Sequence, residues 1–250
     1  MDPIVMQAML GADERHWWYR GRRRVIRAEL ERLPLPAGAA ILDAGCGSGR
    51  TMQLLGAYGT VSGVELSESA AEVARARGVG DVVIGRLEAL PWPEDQFDLI
   101  TCLDVIEHTP DDRATLAELR RVCRPGGYLL VTVPAYPRLW SVHDEANHHY
   151  RRYSRAALRG AALDAGWALE RLSSFNSMLL APAAAVRLSR RRQARTMNGT
   201  ATEVYRDELS IGPAWLNGAL EWPLALEARW LGRGGTLALG LSLIAILRRS

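Results

Sequence analysis

The residues Ile41, Leu42, Asp43, Ala44, Gly45, Cys46, Gly47, Ser48, Gly49 and Arg50 read as a short buried strand that runs into a turn with glycine at every second position. A helix opens near Thr51 and carries Met52, Leu54 and Leu55 on one face. Glycine adopts positive φ at no steric cost and lets a ligand approach the backbone closely. The helix start behind the turn offers free N–H groups and a positive dipole end to a polar or anionic group. Strand, glycine turn and helix together predict a cradle for a nucleotide-like cofactor.

Spacing narrows the cofactor. A dinucleotide fingerprint, G-x-G-x-x-G/A, asks for a small residue at position 50, where this chain has Arg50. A second strand, residues 61–64, ends in Glu65, where an acid meets the ribose hydroxyls of either kind of nucleoside cofactor.

The run D-x-G-x-G-x-G from Asp43 to Gly49 resembles the first motif of the class I S-adenosylmethionine (SAM) dependent methyltransferases. Further stretches agree in the same order. Leu90, Pro91, Trp92 and Pro93, then Asp95 to Asp98 (D-Q-F-D), resemble the approach to that family's fourth strand, which Val105, Ile106, Glu107 and His108 follow. Residues 119–128, L-R-R-V-C-R-P-G-G-Y, resemble the lead into the fifth. The agreement extends over roughly residues 14–175 and is nearest to bacterial small-molecule enzymes such as the ubiquinone-pathway O-methyltransferases.

The resemblance implies an α/β fold: a doubly wound, Rossmann-like sheet of seven strands with the last antiparallel, an N-terminal helical cap and a helical lid inserted before the last strand. It implies SAM as cofactor, held by Asp43, Gly45, Cys46, Gly47, Gly49, Glu65, Leu66, Leu87, Glu88 and Leu103. Similar enzymes also carry an aromatic-aromatic-arginine-glycine-arginine segment over the cofactor. Here that segment is Trp18, Tyr19, Arg20, Gly21 and Arg22, with Tyr19 and Arg20 as further contacts and Arg20 suited to fork onto the methionine carboxylate. Trp17 and Trp18 read equally as packing anchors, and the arginines as a solvated face. One position departs from the pattern: Arg86 stands where related enzymes carry an acid for the adenine amino group, and arginine has no acceptor. The backbone of Leu87 or the carboxylate of Glu88 is left to take that part.

Composition bounds the alternatives. The 250 residues, 48% hydrophobic, suffice for one large domain with an appended lid. A net charge of +3 gives no reason to expect a nucleic-acid partner. All 31 basic residues are arginine, so mechanisms that need a lysine base, Schiff base or Walker lysine are excluded. The three cysteines, Cys46, Cys102 and Cys123, show no metal spacing and suggest a reducing compartment. Residues 1–10 do not read as a leader, and the apolar run at 237–247 falls short of the roughly 18 residues of a span, so a cytoplasmic protein is expected.

Along the chain, residues 1–36 are expected to form the cap, 37–175 the SAM-binding core, 176–235 the lid and 236–250 the closing strand. Helices are predicted at residues 67–77, 113–122 and 155–165, with strands at 82–84, 99–103, 128–133, 167–172 and 239–247. Lid residues 187–195 are rich in arginine, and a helix from Pro213 carries Trp215, Leu216, Leu220 and Trp222 before Pro223 kinks it. Such a segment reads as a helical lid on the sheet edge, as a flap over a hydrophobic substrate, or as a surface for membrane contact.

Residues 134–153 hold three of the five histidines, His143, His148 and His149. No metal is expected, because the spacing of His143, Asp144, Glu145 and His148 matches no metalloenzyme motif. A general base for a substrate hydroxyl fits better, with His143 first and His108 and His148 as alternatives, Asp144 orienting one of them. A structural loop of satisfied histidines explains the same residues. The functional expectation is methyl transfer from SAM to an oxygen, nitrogen or carbon of a small, hydrophobic metabolite, by a monomer or homodimer. Its rivals are a SAM-binding cyclase, a noncatalytic binding module on the same fold, and an NAD-dependent oxidoreductase.

Overall fold

The computed structural model describes residues 11–185 and 212–250. The chain divides into two compact units, one holding the sheet and one mostly helical.

The first comprises residues 33–133, 153–173 and 243–250. Seven strands are ordered β3-β2-β1-β4-β5-β7-β6: β1 (Ala39–Ala44), β2 (Gly59–Glu65), β3 (Gly80–Ile84), β4 (Phe97–Leu103), β5 (Cys123–Pro134), β6 (Ala168–Phe175) and β7 (Ser242–Arg248). β1 lies in the interior of the sheet, where Ile41, Leu42 and Ala44 are buried and apolar on both faces, as a doubly covered parallel strand requires. It pairs in parallel with β2, Ile41 opposite Val61, and with β4, Ile41 opposite Leu99. The order reverses between β1 and β4, the crevice where doubly wound sheets bind ligands. The helices start on their own side chains: Ser67 caps α3 (Glu68–Ala76), Asp111 caps α4 (Asp112–Val122) and Ser154 caps α6 (Arg155–Asp164).

The last strand is antiparallel to β5, as the resemblance implies. Gly126 donates its N–H to the Arg249 carbonyl at 2.7 Å, whereas nine residues later Ala135 donates to Leu241 at 2.9 Å, so one chain ascends as the other descends. This pairing also draws Arg124, Pro125, Gly126 and Gly127, which the sequence places ahead of the strand, into the beginning of β5. Gly126 takes φ 80°, and the register slips between Phe97, opposite Cys123, and Leu99, opposite Tyr128.

The second unit holds described residues 11–32, 134–152, 174–185 and 212–242, so the N-terminal helix groups with the described part of the lid. Its two long helices are α1 (Trp17–Leu30) and α7 (Ala214–Gly232), with the short α5 (Val142–Ala146) in the histidine loop. Gly21 of α1 makes room for Leu224 of α7, since a Cβ there would lie 2.3 Å from its Cδ1. Asn217 Oδ1 accepts the Trp17 amide at 3.0 Å, and Glu221 pairs with Arg20 at 3.0 Å and Arg24 at 2.8 Å. α7 continues through Pro223, the proline's lost N–H bond being offset by tertiary packing along this face. The arginine-rich stretch at 187–195 lies outside the described residues.

Candidate functional site

The glycine turn joins β1 to α2 (Arg50–Leu55). Gly45, Gly47 and Gly49 all take positive φ, 78°, 53° and 78°. A side chain at Gly45 would collide with Val105, 2.5 Å from its Cγ2, so this glycine lets the segment after β4 approach. At Gly47 a Cβ would meet no heavy atom of the described chain within 4 Å, which leaves space over the backbone for a ligand. Gly45 and Cys46 both donate to the Val64 carbonyl, at 2.8 and 3.1 Å, which folds the turn onto the end of β2.

Glu65 completes the cradle. Its Oε2 accepts the Gly47 amide at 2.9 Å and its Oε1 the Ser67 amide at 2.9 Å, so one carboxylate clasps the turn and the start of α3. Each oxygen has a second lone pair to offer a hydroxyl. Asp43 is buried and its Oδ1 accepts from the Thr101 hydroxyl at 2.7 Å, tying β1 to β4 below the turn. Leu87 and Leu103 are buried at the ends of their segments, and Leu66 is exposed beside Glu65. Arg86 is exposed and turns to Glu88, 3.5 Å away. Burial pushes the Cys46 and Cys102 thiols well above the ordinary range, with carboxylates nearby adding to the effect, and burial takes Cys123 to about 12. All three stay protonated at neutral pH and offer no nucleophile.

In the other unit, the histidine loop is organised by Asp144. Fully buried, it accepts from the Ser141 amide at 2.9 Å, from His149 Nδ1 at 2.9 Å and from Arg152 Nη1 at 3.1 and 3.0 Å on its two oxygens. Burial would raise its pKa, but the His149 hydrogen bond and the Arg152 charge together hold it well below the usual carboxylate range. A carboxylate so held can only accept, so His149 Nδ1 carries the proton and donates it to Asp144. His143 is half-buried, its ring 6.3 Å from that of His149 and edge-on. His148 is exposed with φ 54°, and His108 ends a 3₁₀ turn in the sheet unit. Tyr19 is buried in α1, and Arg20 is paired with Glu221.

The sequence reading did not single out His149 or Arg152. Asp144 to His149 is a spacing with no helical or strand period, and three nearby histidines look alike until the backbone closes the loop. Glu221 and Glu227 were missed because an acid in a tryptophan-rich helix reads as solvated. Both are buried: Glu227 accepts the amides of Asn176, Ser177 and Met178 at 2.5, 2.8 and 3.3 Å.

A doubly wound sheet, a ligand-open glycine turn at its reversal point and an acid at the end of β2 define an enzyme class that works through a nucleoside cofactor. The methyltransferase-domain family model matches residues 42–131, from β1 into β5. The ubiquinone biosynthesis O-methyltransferase of Thiobacillus denitrificans is 31% identical over 165 residues, covering 58% of this chain and 70% of the relative. The malonyl-(acyl-carrier protein) O-methyltransferase of Enterobacter lignolyticus is 32% identical over 188 residues, 69% of this chain and 75% of the relative. Among solved structures, an S-adenosylmethionine dependent methyltransferase from Mesorhizobium loti shares the fold with a TM-score of 0.58 at 18% identity, covering 89% of this chain and 96% of that one. This chain belongs to the SAM-dependent methyltransferase family, and the seven-stranded fold expected from the resemblance is the one observed.

Proposed function

We propose that the protein transfers a methyl group from SAM to an oxygen nucleophile of a small, hydrophobic metabolite. The observation that carries the reading is the clasp of Glu65 on Gly47, in a turn whose middle glycine faces open space. That cradle fits a ribose: Glu65 supplies acceptors for two hydroxyls, and the exposed Leu66 supplies an apolar face for the base. Oxygen is favoured over nitrogen or carbon because both curated relatives named above are O-methyltransferases.

Bound SAM supplies an electrophilic sulfonium methyl, so the protein's work is to hold the two partners in line and keep water out. A hydroxyl acceptor must also lose its proton. Of the three histidines in the loop, His149 is the one whose tautomer is fixed by a buried carboxylate, and we assign it the base in preference to His143.

Calorimetric titration with SAM, S-adenosylhomocysteine and NADH tests the cofactor. The two sulfur compounds are expected to bind and NADH not; NADH binding alone would overturn the reading. Formation of S-adenosylhomocysteine with phenolic and carboxylic acceptors, followed by mass spectrometry, tests the transfer.

A further inference from the structure

Helix α7 is built with its polar groups inside. Asn217, Glu221, Leu224, Ala228 and Leu231 recur at helical spacing and are buried, and both acids of the helix, Glu221 and Glu227, face inward onto partners already described. The outward face is aromatic and basic. Trp215 and Trp222 stand seven residues apart, so their side chains leave the helix within about 20° of each other, and Arg229 continues the same line. Trp230 and Arg233 flank it. The tryptophans are 73%, 59% and 53% exposed, among the largest exposed apolar side chains of the described residues. Trp230 is also fixed in place: its indole N–H donates to the Thr236 carbonyl at 3.3 Å, and its ring covers Gly235.

We propose that this outward face of α7 is a docking surface for an anionic lipid bilayer, on which the protein rests. Indole rings are amphipathic and settle at the boundary between headgroups and acyl chains, while guanidinium groups at the same level meet lipid phosphates. The row from Trp215 to Trp230 spans about 22 Å of helix, long enough to engage several headgroups. Charge selects lipid over a second copy of the chain: the outward charges of the helix are positive and its acids are buried. No described helix is long and apolar enough to cross a membrane. This inference stands independently of the methyl-transfer reading.

Co-sedimentation with vesicles of equal parts phosphatidylglycerol and phosphatidylcholine, against pure phosphatidylcholine, tests it. The wild-type protein is expected to pellet with the anionic vesicles, to shift its tryptophan emission to the blue on binding, and to be released by salt. Trp215→Ala/Trp222→Ala, which leaves Trp230 on Gly235, is expected to lose about tenfold or more in vesicle affinity at unchanged helical content and thermal midpoint. Arg229→Gln/Arg233→Gln is expected to lose the preference for anionic vesicles. Absence of pelleting, or both variants pelleting like the wild type, would overturn the proposal. A wild-type dimer that ignores vesicles and that the double tryptophan variant dissociates would also overturn it, assigning the face to a second copy.

Discussion

The Glu65 carboxylate reaches back 18 residues to accept the amide of Gly47 at 2.9 Å, and so couples the end of β2 to the middle of the glycine turn. The same group faces the position where a ribose is expected. Glu65→Ala removes one charge-assisted hydrogen bond from the turn, one from the start of α3, and any made to ligand hydroxyls. SAM affinity is expected to fall about 10- to 100-fold, since hydrogen bonds to a charged group contribute about 1.5–3 kcal/mol. Isothermal titration with SAM and S-adenosylhomocysteine reads this directly. Unchanged affinity in the variant would place the nucleoside elsewhere.

The glycines of the turn separate two roles that sequence alone merges. Gly45→Ala drives a methyl into Val105 at a positive φ, and is expected to destabilise the fold by about 1–3 kcal/mol, the range of overpacked cores. Gly47→Ala meets open space, so beyond its backbone strain its cost should appear in cofactor affinity. Thermal melts with and without SAM distinguish them. Gly45→Ala is expected to melt lower in both conditions, whereas Gly47→Ala is expected to lose most of the SAM-induced rise in midpoint.

How far the sequence could be read follows from which interactions are local. β1, the glycine turn and α2 were legible because apolar runs and glycine act over a few neighbours, and their order recurs in the methyltransferase pattern. The extension of β5 through Gly126 was not, because it depends on a partner strand more than a hundred residues later. What holds α7 together across Pro223 was not legible for a related reason: the proline signal is local, whereas the packing of Leu224 over Gly21 spans some two hundred residues. In the histidine loop, composition draws attention to the stretch, but only the folded backbone gives the pairing of Asp144 with His149.

That hub has a consequence for acid stability. Asp144 is fully buried against Arg152, whose side chain is 2% exposed. Its folded pKa lies below the unfolded one, so its contribution is complete above the ordinary carboxylate range and is lost as pH falls from about 5 downward. Asp144→Asn leaves the Arg152 charge buried without its counter-ion and is expected to cost about 3–5 kcal/mol at pH 7. Urea unfolding at pH 7 and pH 3 checks both statements, because the gap between wild type and variant should narrow at the lower pH. A variant as stable as the wild type at pH 7 would show that the loop is held by other contacts.

The packing of α1 on α7 gives a prediction whose sign decides between two effects. As a helix substitution, Gly21→Ala should stabilise by about 1 kcal/mol on propensity alone. Its Cβ would, however, lie 2.3 Å from Leu224 Cδ1 and 2.8 Å from Leu224 Cβ, and the second atom cannot move without shifting the helix. Overpacking of this kind costs about 1–3 kcal/mol, so net destabilisation is expected. Leu224→Ala alone should also destabilise, by about 2–5 kcal/mol, because it opens a cavity at a fully buried position. In the double variant the clash with Cδ1 and Cγ of Leu224 is gone and only that with the retained Cβ remains, so the combined loss should be smaller than the sum by about 0.5–3 kcal/mol. Chemical denaturation of the four proteins measures this coupling. Strict additivity would mean that the two helices do not meet at Gly21.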